Sequence, residues 1–331
     1  MNRNALKIGW PNSMVYLATL GIAFLFCSGA FAADEPYPSR PVNIVIGYTP
    51  GGVMDTHAKI IGDRFGDVLG QPMLRIHKPG GGGVLGASFA ARAKADGYTL
   101  HVTTSSALIL TPILKKVDYA FEDFVPLAIY AKAVMRLYVR ADAPWKTLED
   151  FLAEARKRPG QLKVSSPGRM THMHFVIEAL SKHAGIKLAH VPYKSCGEAV
   201  TALLGGHVDA DVCSASMGQA EAGMVRVLAA ADYERSKYFP EVKTFIEQGY
   251  SVALPGYYTL AAPAKIPPQI LEVLTGGMQK VFAKHGQEIA EELIRVEVVP
   301  AMIDSKRSIQ EFKNEREIFQ KLTAELGIKQ E

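Results

Sequence analysis

Apolar stretches of strand length alternate with amphipathic stretches of helix length along almost the whole chain, and few architectures accept that pattern. Residues 42–46 read as a buried strand, and Thr49-Pro50-Gly51-Gly52 breaks it. Met54, Ala58, Ile61, Phe65 and Val68 then recur at helical spacing until Gly70. Further strands are expected at 73–77, 98–104, 125–130, 134–140, 162–165, 186–191, 208–212, 225–230 and 257–261. Helices are expected at 84–93, 148–157, 171–182, 196–204 and from 268 to about 283. A final helix places Ile309, Phe312, Phe319, Leu322 and Leu326 on one face. This alternation implies α/β architecture with mostly parallel sheets. The short join between 125–130 and 134–140 suits a crossing between domains.

In open α/β sheets a ligand sits beyond the carboxyl ends of the strands, so the turns there are the candidate sites. At 49–56 a strand ends in glycines and enters a helix. The first-turn N–H groups lack intrahelical acceptors, and the helix dipole favours an anion. Asp55 suits two roles in that turn, a cap for its own helix or a ligand contact. Later turns carry Gly80–Gly86, Thr103-Thr104-Ser105-Ser106, Ser166-Pro167-Gly168-Arg169 and Lys194-Ser195.

Several sharper readings lose to plainer ones. Gly81-Gly82-Gly83-Val84-Leu85-Gly86 satisfies G-x-G-x-x-G, but the next strand ends in Thr103-Thr104-Ser105 and not in the acid a dinucleotide requires. No cofactor is expected, and the glycines read as a tight turn. His172 and His174 stand two apart, which places them on different faces of a helix, whereas helical zinc sites use a spacing of four. No metal is expected. Ser105, Ser106, Ser165 and Ser166 invite a serine hydrolase, yet no G-x-S-x-G elbow is present and nothing in the sequence ties them to a base. Catalysis is not expected. Tyr257 and Tyr258 lie on a strand face from which one could wall a pocket.

The amino terminus constrains the compartment. Arg3 and Lys7 precede an apolar stretch at 15–26 that is too short to span a bilayer, and Ala30-Phe31-Ala32 is a cleavage-site pattern. Residues 1–32 therefore read as a cleaved signal peptide. Cys27 follows the bulky Phe26, which argues against a lipid anchor. The chain holds 37 basic and 33 acidic residues. Two of the basic residues leave with the leader, so the remainder is near neutral and nucleic acid is not an expected partner. Cys196 and Cys213 remain; in an oxidising compartment they are compatible with a disulfide or with two separate thiols.

Taken in order, the motifs resemble those of the solute-binding proteins of tripartite tricarboxylate transporters, often called the Bug family. Tyr37-Pro38-Ser39-Arg40-Pro41 and Pro50-Gly51-Gly52-Val53-Met54-Asp55 match the family opening. Pro79 to Ala87, Asp96-Gly97-Tyr98-Thr99-Leu100, His190 to Lys194, Leu203 to Asp209 and Leu260 to Pro263 follow in family order. The resemblance implies a two-lobed periplasmic-binding-protein fold (type II-like). Each lobe would be a mostly parallel sheet flanked by helices, with the ligand cleft between them. Lobe 1 would comprise 36–132 plus 231–331, and lobe 2 133–230. It also implies a ligand carboxylate held by backbone N–H groups, hydroxyls and water.

Departures from the family pattern fall at Gly168 to His174, where Met170 and Met173 replace glycines and His172 replaces a serine, and at Cys213-Ser214 and Tyr257-Tyr258-Thr259. They point to a ligand whose far end meets Arg169, His172 and Cys213. The expected binding residues are Tyr48, Thr49, Gly51, Gly52, Asp55, Gly82, Ser105, Ser106, Ser166, Arg169, Thr171, His172, Tyr193, Lys194, Cys213 and Tyr257. The expected function is capture of a small organic carboxylate, a di- or tricarboxylate or an aromatic acid, by a periplasmic monomer. Delivery would be to a two-component membrane permease, or alternatively the loaded protein would be presented to a sensor.

Overall fold

A computed structural model describes residues 36–330; the signal-peptide reading of residues 1–32 lies outside the described residues. The first sheet contains β1 (Val42–Ile46), β2 (Met73–His77), β3 (Thr99–Thr104), β4 (Phe124–Ala133), β10 (Gly256–Pro263) and β11 (Val299–Asp304). Its strand order is β11-β4-β10-β3-β1-β2. The second contains β5 (Arg136–Arg140), β6 (Lys163–Ser166), β7 (Ala189–Pro192), β8 (Ala210–Cys213) and β9 (Val225–Ala230), in the order β7-β6-β8-β5-β9.

Both sheets are mixed, and the reason is the route of the chain. β1, β2 and β3 run parallel, as do β6, β7 and β8. β10 is antiparallel to β3 and β4, and β5 is antiparallel to β8 and β9. β5 and β10 are the strands by which the chain enters each sheet from the other. They start where the parallel strands end and so must run the opposite way. Val42, Ile44, Val45 and Ile46 are fully buried, as a parallel strand covered on both faces should be.

The helices are α1 (Val53–Leu69), α2 (Val84–Ala91), α3 (Thr111–Leu114), α4 (Leu148–Lys157), α5 (His172–Ala184), α6 (Cys196–Leu204), α7 (Met217–Glu221), α8 (Pro268–Arg295) and α9 (Ser305–Glu325). A π-helical segment, Ser106–Leu110, runs directly into α3. α4 begins with a capping box: Asp150 N–H donates to Thr147 Oγ1 at 3.1 Å, and Thr147 N–H donates to Asp150 Oδ2 at 2.9 Å. α9 carries Phe312 into a cluster with Leu108, Phe121 and Ile129 of the first sheet's side. Its next turns carry Phe319 and Leu322 into the core around Leu137, Phe151 and Phe175 beneath the second sheet. The last helix is therefore packed against both sheets.

One expectation required correction and two elements were missed. α8 does not stop near residue 283 but runs to Arg295, and Gly286 lets it pass Met302, where a Cβ would lie 3.1 Å from the sulfur. β11 and the segment from Ser106 to Leu114 are not foreseen by periodicity. Met302 and Ile303 are only half-buried, and the π-turn shifts the helical spacing that periodicity would detect. Among the described residues no helix is long and apolar enough to cross a membrane.

Candidate functional site

A cavity of about 230 Å³ lies where the two sheets meet. From the first sheet's side it is lined by Thr104, Ser105, Ser106, Gly256, Tyr257 and Tyr258. From the crossing and the second sheet come Ala133, Met135, Pro167, Thr171, His172, Met173 and Ser214. Most of these residues stand at strand ends, because both parallel sets of strands point their carboxyl ends toward the junction. No lysine or arginine is among the described residues that line it.

Two helix starts face one another across this space. Ser106 opens the π-helical segment from one side, and Thr171 caps α5 from the other, its Oγ1 accepting from His174 N–H at 3.3 Å. First-turn N–H groups and the dipole favour negative charge at both. The remaining lining polar groups are mostly hydroxyls. Ser105 Oγ accepts from Tyr257 N–H at 2.9 Å, which fastens the end of β3 to the start of β10. Tyr257 donates its phenol to Glu311 Oε2 at 3.0 Å, and burial pushes its pKa well above the ordinary phenol range. Tyr258 packs edge-on against the buried His57 at 4.6 Å between ring centroids. Burial alone lowers His57 to about 4, which keeps it neutral.

The floor of the cavity holds a three-residue chain. Ser106 Oγ lies 2.7 Å from His172 Nδ1, and His172 Nε2 lies 2.6 Å from Glu315 Oε1 of α9. His172 is 2% exposed and Glu315 5% exposed, with the Phe319 ring edge-on to the imidazole. Burial raises the Glu315 carboxyl above the usual carboxylate range, opposed by its hydrogen bond to His172.

Of the sequence-predicted residues, Ser105, Ser106, Thr171, His172 and Tyr257 line the cavity. Tyr48 and Gly82 form an adjoining layer: the Tyr48 hydroxyl donates to Gly82 O at 3.0 Å and also bonds Thr104. Thr49, Gly51, Gly52 and Asp55 are not among the lining residues. Asp55 occupies the helix start itself, accepting from Gly51 N–H at 2.9 Å and pairing with His77 at 3.0 Å and Arg75 at 3.6 Å. Ser166 is turned to Gly168 O and His190; Arg169 and Lys194 are exposed; Tyr193 packs against the cluster of Tyr138, Val200 and Leu203.

Cys213 requires correction as a ligand contact. It is fully buried and bonded to Cys196, with 5.9 Å between the Cα atoms, so it has no thiol to offer. The next residue, Ser214, reaches the cavity in its place. Tyr258 stands on the strand face from which a pocket wall is expected, and Thr104 and Pro167 belong to turns already singled out; Ala133, Met135, Met173, Ser214 and Gly256 complete the lining beyond the expected binding residues. Glu315 carried no local signal.

Residues 58–328 match the family model described as the tripartite tricarboxylate transporter family receptor. The chain is 33% identical over 311 residues to the UPF0065 protein in gbd 5'region of Cupriavidus necator, covering 92% of this chain and 93% of that one. A TctC solute binding protein from Polaromonas, solved without ligand, superposes with a TM-score of 0.77. The two are 26% identical, over 87% of this chain and 99% of that one. Rpa4515 of R. palustris, solved with adipate, gives a TM-score of 0.73 at 24% identity over 89% and 100% of the two chains, and so shares the fold.

Proposed function

The chain belongs to the receptor family of tripartite tricarboxylate transporters, and from that premise we propose that it captures a small dicarboxylate or aromatic acid in the cavity between its two sheets and passes it to a two-component membrane permease. The observation that carries this reading is the lining itself. Two helix starts and the hydroxyl-bearing residues Ser105, Ser106, Thr171, Ser214, Tyr257 and Tyr258 line about 230 Å³ with no lysine or arginine among them. Such a site binds an anion by hydrogen bonding and avoids burying a full cationic side chain, which is costly without a bound partner. Its volume is below the roughly 300–1,000 Å³ of pockets for drug-sized ligands, which suits a short chain or a single ring. The adipate held by the R. palustris neighbour is of that size.

The receptor closes as two lobes, 36–132 plus 231–331 and 133–230, and ligand contacts made only in the closed state shift the population toward it. Residues 1–32 direct export to the periplasm and are removed.

Ser106, His172 and Glu315 also stand in the order of nucleophile, base and orienting acid. Against hydrolysis, the N–H that follows such a serine normally serves the oxyanion, and here Ala107 N–H donates to Thr104 Oγ1 at 3.3 Å. Capture without turnover is the better-supported reading.

Thermal-shift measurements with dicarboxylates, aromatic acids, amines and sugars test it. A carboxylate at a hundredfold excess over its Kd stabilises the folded state by about 2.7 kcal/mol. Stabilisation by amines or sugars alone, with every carboxylate silent, would sink the proposal.

A further inference from the structure

His172 stands where the family resemblance leads one to expect serine, and its partner Glu315 comes from α9, 143 residues further along the chain. The pair is buried, and the Ser105 hydroxyl also supports the Glu315 carboxyl. We propose that Glu315, acting through His172, decides whether Ser106 donates or accepts a hydrogen bond in the cavity, so that a carboxylate ligand enters together with one proton. This rests on the carboxylate reading of the cavity given above.

Ser106, His172 and Glu315 share a countable set of hydrogens. When the pair holds a single proton, the ionised Glu315 draws it to His172 Nε2. Nδ1 is then a bare acceptor, and the Ser106 hydroxyl must point its hydrogen at it. In that state Ser106 shows the cavity only lone pairs, with a net negative charge behind them, and both repel a carboxylate. One further proton reverses this. Whether it resides on the imidazole or on Glu315, Nδ1 now carries hydrogen and donates to Ser106 Oγ. The Ser106 hydroxyl is released to donate into the cavity, and the pair behind it is neutral overall.

The other titratable groups facing the pair do not supply that proton. They are Glu311 one turn earlier on α9, Tyr257 on β10 and Tyr233 after β9. Glu311 already accepts from Tyr257 and lies 3.5 Å from Arg307. Its negative charge, together with burial, favours proton uptake by Glu315. A carboxylate arriving above Ser106 adds in the same direction, so ligand and proton promote each other's binding.

Calorimetric titration of the protein with adipate, in buffers of different ionisation enthalpy, reads the coupling directly. The expected result is uptake of close to one proton per adipate. Affinity should fall about tenfold for each pH unit once the pair has lost its second proton. Glu315→Gln, which cannot carry the charge, should flatten both dependences. Buffer-independent heats with an affinity that does not change from about pH 6 to about pH 9 would overturn the proposal. Imidazole NMR of the ligand-free protein gives a separate reading. The single proton of His172 at high pH should sit on Nε2, and a proton found on Nδ1 would equally overturn the idea. If adipate and other carboxylates fail to bind while His172 shows the expected tautomer, the carboxylate reading fails and the assignment of the Glu315–His172–Ser106 chain stands.

Discussion

Asp55 Oδ2 accepts a hydrogen bond from Gly51 N–H at 2.9 Å, so the helix start after β1 is occupied by the chain's own carboxylate. The Gly51 bond is the main reason its carboxyl sits below the ordinary range. Burial opposes the shift, and His77 and Arg75 add to it. A carboxylate depressed in the folded state contributes stability that is present above its unfolded pKa and is lost as pH falls through the folded one. Asp55→Asn should therefore cost about 1 kcal/mol at neutral pH, with the gap to the unaltered protein closing on acidification. Thermal melts across a pH series check this. A constant gap at every pH would show that the charge is not what matters.

Gly86 serves close packing. A Cβ there would lie 2.5 Å from the Gly47 Cα and 2.8 Å from its nitrogen, with the His101 ring at 3.3 Å, so backbone itself would have to shift. Gly86→Ala should destabilise by about 1–3 kcal/mol, as overpacking does. Gly276→Ala on α8, where nothing stands within 4 Å, should instead stabilise by roughly 0.5–1 kcal/mol. Denaturant midpoints for the two variants should move in opposite directions.

What the sequence disclosed and what it withheld divide along one physical line. Turns that follow strands are local: glycine, proline and hydroxyl side chains mark them, and in an α/β chain they collect at one end of the sheet. Ser105, Ser106, Thr171, His172 and Tyr257 were accessible in this way, and all five line the cavity. Which turns close on a common space is a matter of topology. The loop at 49–56 carries the stronger anion motif, yet its residues are not among those lining the cavity, and Asp55 takes the Gly51 N–H. Glu315 is a heptad-like position on an amphipathic helix, charged where its neighbours Phe312 and Phe319 are apolar. Only the packing of α9 against both sheets gives that charge a partner in His172. The mixed sheets were missed for a similar reason, since strand polarity at a crossing depends on where the preceding strand ends.

The Cys196–Cys213 bond joins the start of α6 to the end of β8 across 17 residues. In the chain-entropy account a loop near that length is worth about 3 kcal/mol. Both thiols should resist alkylation until a reductant is added, and Cys196→Ser should lower the melting temperature to the value that the reductant produces in the unaltered protein. Alkylation of either cysteine in the folded, unreduced protein would contradict the bond.

Asp211 is fully buried between Tyr138 and Ser165 on neighbouring strands. Ser165 Oγ donates to its Oδ1 at 2.7 Å, while Oδ2 has no hydrogen-bond partner. Burial raises its pKa to about 7, and the bonds from Ser165 and the Val212 backbone lower it only in part. The sign is opposite to that of Asp55. A carboxyl whose folded pKa lies above its unfolded value of about 3.9 favours folding fully only below that value. The contribution is lost as pH rises through about 7, because the folded protein must then hold an ionised group with one oxygen unbonded. Asp211→Asn removes the ionisation and keeps the acceptor for Ser165. It should melt higher than the unaltered protein at alkaline pH, with the advantage shrinking steadily toward acid. An Asn variant less stable by the same amount at every pH would mean that Asp211 is held ionised by a partner the folded chain supplies, and that its charge supports the second sheet.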